Sequence, residues 1–173
     1  MDVLEAIRGR RSIRAFKSND VPPEIVEELI DAARWAPSAG NIQPWEFIVV
    51  RRSEIKGRLA EAALNETLIE KAPVVIVVCA DENRSFEGYR VRGKTLYCIQ
   101  DTAASIQNIL LAAYSLGLGT CWIGAFREEE VKEILKIPLG VRPVAIIPVG
   151  YPTESPLPRR KRNINQILHY ETF

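Results

Sequence analysis

A layered α/β-type domain, with helices packed on a central sheet, is the fold class the sequence predicts. Three observations carry that expectation. The run "VVIVVCA" (74–80) is apolar at every position, which marks a strand covered on both faces. Segments of helical periodicity interleave with short apolar strand-like runs along the whole chain. The longest periodic segment, from about Thr95 to Leu116, has small or apolar residues on more than one side.

Taken in order, residues 2 to 9 read as a short helix. Pro22-Pro23 begin a second helix that runs to about Trp35, with Ile25, Leu29, Ala32 and Ala33 on one face and Pro37 stopping it. "FIVV" (47–50) reads as a strand, followed by a helix from Ser53 to about Leu64. After "VVIVVCA", the segment "RSFEGYRVRGKT" (84–95) is expected to be a loop. In the helix that follows, Leu96, Ile99, Ala103, Ile106, Leu110 and Ala113 recur at spacings of three and four, one helical stripe. Ala104, Ile109, Leu111 and Ala112 extend the apolar surface beyond it. "GTCWIG" (119–124) is a strand or strand end, 127–136 a charged surface helix, and "VAIIPVG" (144–150) the last core strand.

At 173 residues the chain fits a single domain, 1–173, with a substantial core. A formal net charge of +1 argues against a protein built to grip nucleic acid. No apolar run is long enough to span a bilayer, and charges interrupt the start before a leader could form. Cys79, Cys98 and Cys121 lack metal-ligand spacing, and their odd number suits a reducing, cytoplasmic setting.

One short motif invites a different reading. "GYRVRGKT" (88–95) matches the phosphate-cradling pattern G-x-x-x-x-G-K-[ST]. Such a loop joins a strand directly to a helix, yet "DENRSFE" separates Gly88 from the strand ending near Ala80. The variable positions Tyr89, Arg90, Val91 and Arg92 are bulky where close backbone approach favours small residues. The match reads as accidental. A better phosphate site is "RGRRSIRAF" (8–16), where arginine forks suit bidentate binding and Ser12 adds a hydroxyl. In an extended segment Arg10, Ser12 and Arg14 share one side. The cluster on its own reads more simply as a solvated basic surface.

"RRSIRAF" (10–16), "APSAGNIQPWEF" (36–47), "GLGTCWIGAF" (117–126) and "RRKRNINQILHYE" (159–171) together resemble the flavin-dependent nitroreductase family, in the same order. The resemblance spans essentially the whole chain. It implies an α+β, three-layer α/β/α fold with a mixed central sheet and a long buried helix. It also implies a homodimer with an exchanged C-terminal tail and FMN at the subunit interface. The implied activity is transfer of electrons from NADH or NADPH to nitroaromatic, quinone or related acceptors by ping-pong turnover.

Carried over by motif, Arg10, Arg11, Ser12 and Arg14 come from one subunit, with Arg10 and Ser12 towards the ribityl phosphate and Arg14 at the pyrimidine side of the ring. Pro37, Ser38, Asn41 and Gln43 belong to the other subunit's wall of the site. Ile123 and Gly124 offer backbone N–H groups to flavin N5 and O4. Arg160 and Arg162 close on the phosphate, and Asn65 aligns more loosely with an amide near the ring. Where some relatives carry a lysine, this chain has Leu68. No side chain is singled out as catalytic, because the cofactor carries the chemistry and Arg14 tunes it. His169 is read as packing or surface, Trp35 and Trp45 as core, Trp122 as either core or cofactor wall, and Cys79 and Cys121 as small buried hydrophobes. Two other readings stand beside the leading one. The first is a specialised enzyme of the same fold that fragments flavin, dehalogenates or oxidises heterocycles. The second is a nucleotide-binding protein using Gly88 to Thr95.

Overall fold

The long apolar strand expected in the middle of the chain is the axis of the molecule. In the structure, a computed structural model describing residues Met1–Phe173, four strands form one sheet in the order β1-β2-β4-β3. They are β1 (Trp45–Val50), β2 (Val74–Asp81), β3 (Gly119–Thr120) and β4 (Val141–Gly150). Each ladder is antiparallel, with Trp45 opposite Ala80, Val74 opposite Val149 and Gly119 opposite Gly150. A parallel bridge between Ser12 and Thr120 adds the incoming N-terminal segment at the β3 edge, so the sheet is mixed there.

Side chains alternate across a strand, and β2 uses both faces fully. Val74, Ile76 and Val78 join a core with α2 (Pro23–Arg34) and α6 (Cys98–Ser115), where Leu29, Ile106 and Ile109 are buried. Val75, Val77 and Cys79 join a second core under α3 (Ser53–Ala62), α4 (Thr67–Lys71) and α7 (Glu128–Leu135). Helices therefore cover both faces, and the layering is α/β/α. No helix is long and apolar enough to cross a membrane.

The remaining helices are α1 (Val3–Gly9) and α5 (Glu82–Arg92). The second corrects the loop expected at 84–95: this stretch is helical, with a break at Tyr89 and Arg90, and continues as a π-helical turn, Gly93–Tyr97, into α6. The same finding removes the phosphate-loop reading. Gly88 lies inside a helix, a Cβ on Gly93 would meet the Ser85 carbonyl oxygen at 2.1 Å, and Lys94 pairs with Glu82 at 3.4 Å. No strand-to-helix cradle exists there for an anion.

Trp45 is buried as expected, but Trp35 is not: it is 75% exposed. It follows the last residue of α2, where its indole N–H reaches Asp31 at 3.3 Å and Arg34 lies over its ring. The three cysteines are buried and free. The chain after Pro156 remains exposed to its end, including Ile164, Ile167, Leu168 and Tyr170. Its first part, Pro156 to Lys161, lies along the N-terminal segment, and residues 162–173 are exposed throughout.

Candidate functional site

The basic segment is fixed by backbone pairing at the β3 edge. Helix α1 ends at Gly9, and the Arg11 guanidinium caps it by donating to the carbonyls of Arg8, Gly9 and Arg10 at 2.6, 3.0 and 2.9 Å. The chain then runs extended: Ile13 N–H donates to the Thr120 carbonyl at 2.9 Å, and Lys17 N–H to that of Tyr151 at 2.8 Å. Ile13 is buried while Arg14 points outward. The Glu154 carboxylate accepts from the N–H groups of Arg14 and Ala15, which ties the departing tail to this segment.

Between them opens a hollow of about 620 Å³. Arg8, Arg10, Arg11, Ser12, Arg14, Arg159 and Lys161 line it, and Glu154 is the one carboxylate. Because that carboxylate is engaged with backbone N–H groups, the cationic excess faces the cavity. Such a donor set suits a phosphate group.

The lining of the hollow in this single chain differs from the expected set at two points. Arg159 and Lys161, not Arg160 and Arg162, face the hollow in this chain. Arg162 instead donates to the Gln166 carbonyl at 2.8 Å. Arg11 is chiefly a helix cap, although its Nε is buried without a partner.

Past β3, the chain returns to the sheet at Ile123, whose N–H donates to the Ile146 carbonyl at 3.0 Å. That amide is therefore not available to a ligand, which revises the expected pair. Gly124 N–H has no protein partner and is exposed. Trp122 is 40% exposed, so it is not a core residue. Burial pushes the Cys121 thiol above its usual range, opposed by the charges of Arg14 and Arg10 and a hydrogen bond with Ser12. Leu64 and Asn65, both left-handed (φ 59° and 64°), form the turn that follows α3. Leu68 is buried in the core and offers nothing to the site.

Pro37, Ser38, Asn41 and Gln43 lie elsewhere. They form a tight turn between α2 and β1, in which Gly40, Asn41 and Gln43 have φ near 55°. Gln43 N–H donates to Ser38 Oγ at 3.0 Å, and its side-chain amide to Asn41 Oδ1 at 3.1 Å. This turn enters β1 at the Ala80 end of β2, whereas Ser12 bridges to β3 near the Val74 end. Six strand residues at about 3.3 Å each separate the two ends by roughly 20 Å. Helix α6 gives the same answer independently. Asp101 holds the turn, and Tyr114 packs on Gly9 beside the basic segment. Their thirteen-residue separation at about 1.5 Å per residue is again roughly 20 Å. Within one chain the two groups cannot meet at one end of a ligand.

Asp101 is a feature the sequence reading passed over. Its carboxylate accepts from Ala39 N–H at 3.1 Å and so tethers the turn to α6. It is 8% exposed, and its other oxygen has no partner, like Ser105 Oγ one turn further on. Burial raises its pKa, opposed by the Ala39 hydrogen bond. A carboxyl whose folded pKa exceeds its unfolded value binds its proton more tightly when folded. It therefore loses the protein stability as pH rises through that interval. Asp101→Asn keeps a carbonyl acceptor for Ala39 without the buried charge. The melting temperature of this variant at pH 7 is expected to match or exceed that of the parent. Its advantage should shrink on acidification. Melting curves from pH 4 to 8 check this; a variant much less stable at pH 7 would show that the charge itself holds the turn.

Comparison with known proteins bears on the family of the chain. Residues 7–71 and 62–151 match the Nitroreductase family. A Methanothermobacter thermautotrophicus protein provisionally named NADH dehydrogenase/NAD(P)H nitroreductase is 42% identical over 160 residues, which cover 90% of this chain and 80% of that protein. A Bacillus subtilis protein named FMN reductase, NAD(P)H, is 30% identical over 185 residues, 99% of this chain and 74% of that one. Among solved structures, the NADPH:FMN oxidoreductase of Vibrio harveyi complexed with NAD+ superposes with a TM-score of 0.90 at 29% identity. The match covers 99% of this chain and 77% of that one.

Proposed function

The chain belongs to the nitroreductase family, and from that premise we propose that it works as a homodimer with FMN at the subunit interface, reducing nitroaromatic, quinone or related small acceptors. That it is an NAD(P)H-dependent flavin oxidoreductase follows from the family and its relatives. Donor and acceptor would use the site in turn, in ping-pong fashion.

One observation carries the dimeric reading: the basic hollow and the Pro37–Gln43 turn sit roughly 20 Å apart in one chain, judged from strand and helix rise. A two-fold mate brings the turn of one copy against the hollow of the other. Exposed Val3, Leu4 and Ile7 on α1 and the apolar residues of the tail supply surface for that contact.

The residues present fit FMN. Arg10, Ser12, Arg159 and Lys161 give a phosphate its donors, and the orphaned Arg11 Nε points to a further acceptor that the chain itself does not provide. When bound, FMN supplies the two-electron redox chemistry. Arg14, lining the same hollow, would supply positive charge to the ring and so favour its more negative, reduced form. The unpartnered Gly124 N–H would be free to hydrogen-bond the ring, with Asn65 as a further amide beside it. Ser38, Asn41 and Gln43 of the partner subunit close the other wall against water.

The purified protein's absorption spectrum, read with its size in solution, tests this. A yellow dimer with stoichiometric FMN is expected, bleached anaerobically by NAD(P)H and recoloured by a quinone in a separate step. A colourless protein would overturn the reading.

A further inference from the structure

The segment joining β2 to α6 has no part in the flavin contacts above, yet it packs directly on the turn that forms the partner's flavin wall. Arg84 Nε donates to the Ile42 carbonyl at 2.5 Å. A Cβ on Gly40 would lie 2.7 Å from Tyr89 Oη, and one on Gly88 would lie 2.3 Å from Ile42 Cδ1. The segment is broken where it turns outward: Arg90 has φ 53° and ψ −139°, a conformation costly for any residue but glycine, and a π-helical turn follows.

That break sets two arginines on aromatic rings. The Arg90 guanidinium lies over Phe86 at 5.8 Å, and that of Arg92 over Tyr97 at 5.3 Å, with Arg92 Nε donating to Tyr97 Oη at 2.9 Å. Tyr89 meets Tyr97 edge-on at 5.2 Å. Neither arginine has a carboxylate partner, whereas the nearby Lys94 is paired with Glu82. Stacking covers the face of a guanidinium and leaves in-plane N–H donors free. Phe86 and Tyr89 remain 39% and 42% exposed. The result is a pre-ordered cationic rim bearing apolar rings, beside a flavin wall.

We propose that Arg90 and Arg92 anchor the phosphates of the nicotinamide dinucleotide, with Phe86 and Tyr89 as the apolar surface for its adenine. The inference rests on the oxidoreductase reading and adds where the donor is held. A nicotinamide stacked on the flavin must trail its pyrophosphate outward over the site's edge, and this rim is the part of that edge with unpaired cations.

The experiment uses the flavin-loaded protein with three donors: NADPH, NADH and phosphate-free 1-benzyl-1,4-dihydronicotinamide. In the Arg90→Gln/Arg92→Gln variant, kcat/KM for both dinucleotides should fall about tenfold or more through KM, the loss of charge-assisted phosphate contacts. With the benzyl donor it should stay within about twofold, since that donor has no phosphate to lose. Calorimetric titration with adenosine 2′,5′-bisphosphate reads the same site without turnover, and binding should weaken in parallel. Equal losses with all three donors, or none, would overturn the assignment while leaving the oxidoreductase intact. A colourless parent protein that oxidises no donor would overturn both readings.

Discussion

Removing everything after Ser155 is expected to cost the protein both its flavin and its dimeric state. The cut spares the anchors at Thr153 and Glu154, so the Arg14–Ala15 backbone keeps its partners and the two cores are untouched. It deletes Arg159 and Lys161 from the hollow, and with them Ile164, Ile167, Leu168 and Tyr170, none of which is covered in one chain. Two charge-assisted contacts at about 1.5–3 kcal/mol each correspond to FMN binding weaker by about a hundredfold or more. Sizing and flavin content, measured on the same sample, check it. A truncated monomer that keeps stoichiometric FMN would sink the exchanged-tail dimer.

Arg10 and Arg14 line the same hollow but should govern different properties. Arg10→Ala removes a phosphate donor, and FMN retention should weaken about ten- to a hundredfold. Arg14→Ala should leave retention nearly intact and lower the flavin midpoint potential by about 30–60 mV. That is the two-electron equivalent of one or two powers of ten in the preference for the reduced form. The Arg14 backbone is held through Glu154 whatever its side chain, so the local fold should survive the substitution. Equilibrium dialysis of FMN and spectroelectrochemistry separate the two effects. Equal flavin loss in both variants with an unchanged potential would refute the division.

The layering could be read from the sequence because it rests on local patterns: uninterrupted apolar residues at 74–80 and a three-four stripe through α6. Segment 84–95 could not. It is largely exposed, so no apolar stripe marks it as helical, and its break depends on Arg90 adopting a backbone angle no residue type announces. Arg159 and Lys161 show a second limit. Extended alternation says which tail cations share a side but not which side faces the hollow. Pairing of Ile123 with Ile146 is a contact between distant strands, invisible to any local motif, and it left one of the two expected amides already engaged. Trp35 and Trp45 flank a helix end and the next strand, which suggests core for both, but the position of Trp35 just beyond α2 turns it outward.

Strand β2 belongs to two cores at once, with Val74, Ile76 and Val78 facing one and Val75, Val77 and Cys79 the other. Neither helical layer can detach without stripping one side of the strand that the opposite layer also needs. The two halves of the interior are thereby made interdependent, and partial unfolding by peeling off a single layer is disfavoured. The backbone amides of β2 should be the last in the molecule to exchange their hydrogens with solvent, doing so only through global opening. Between the basic hollow at one end and the Pro37–Gln43 turn at the other, this makes the sheet a stiff ruler.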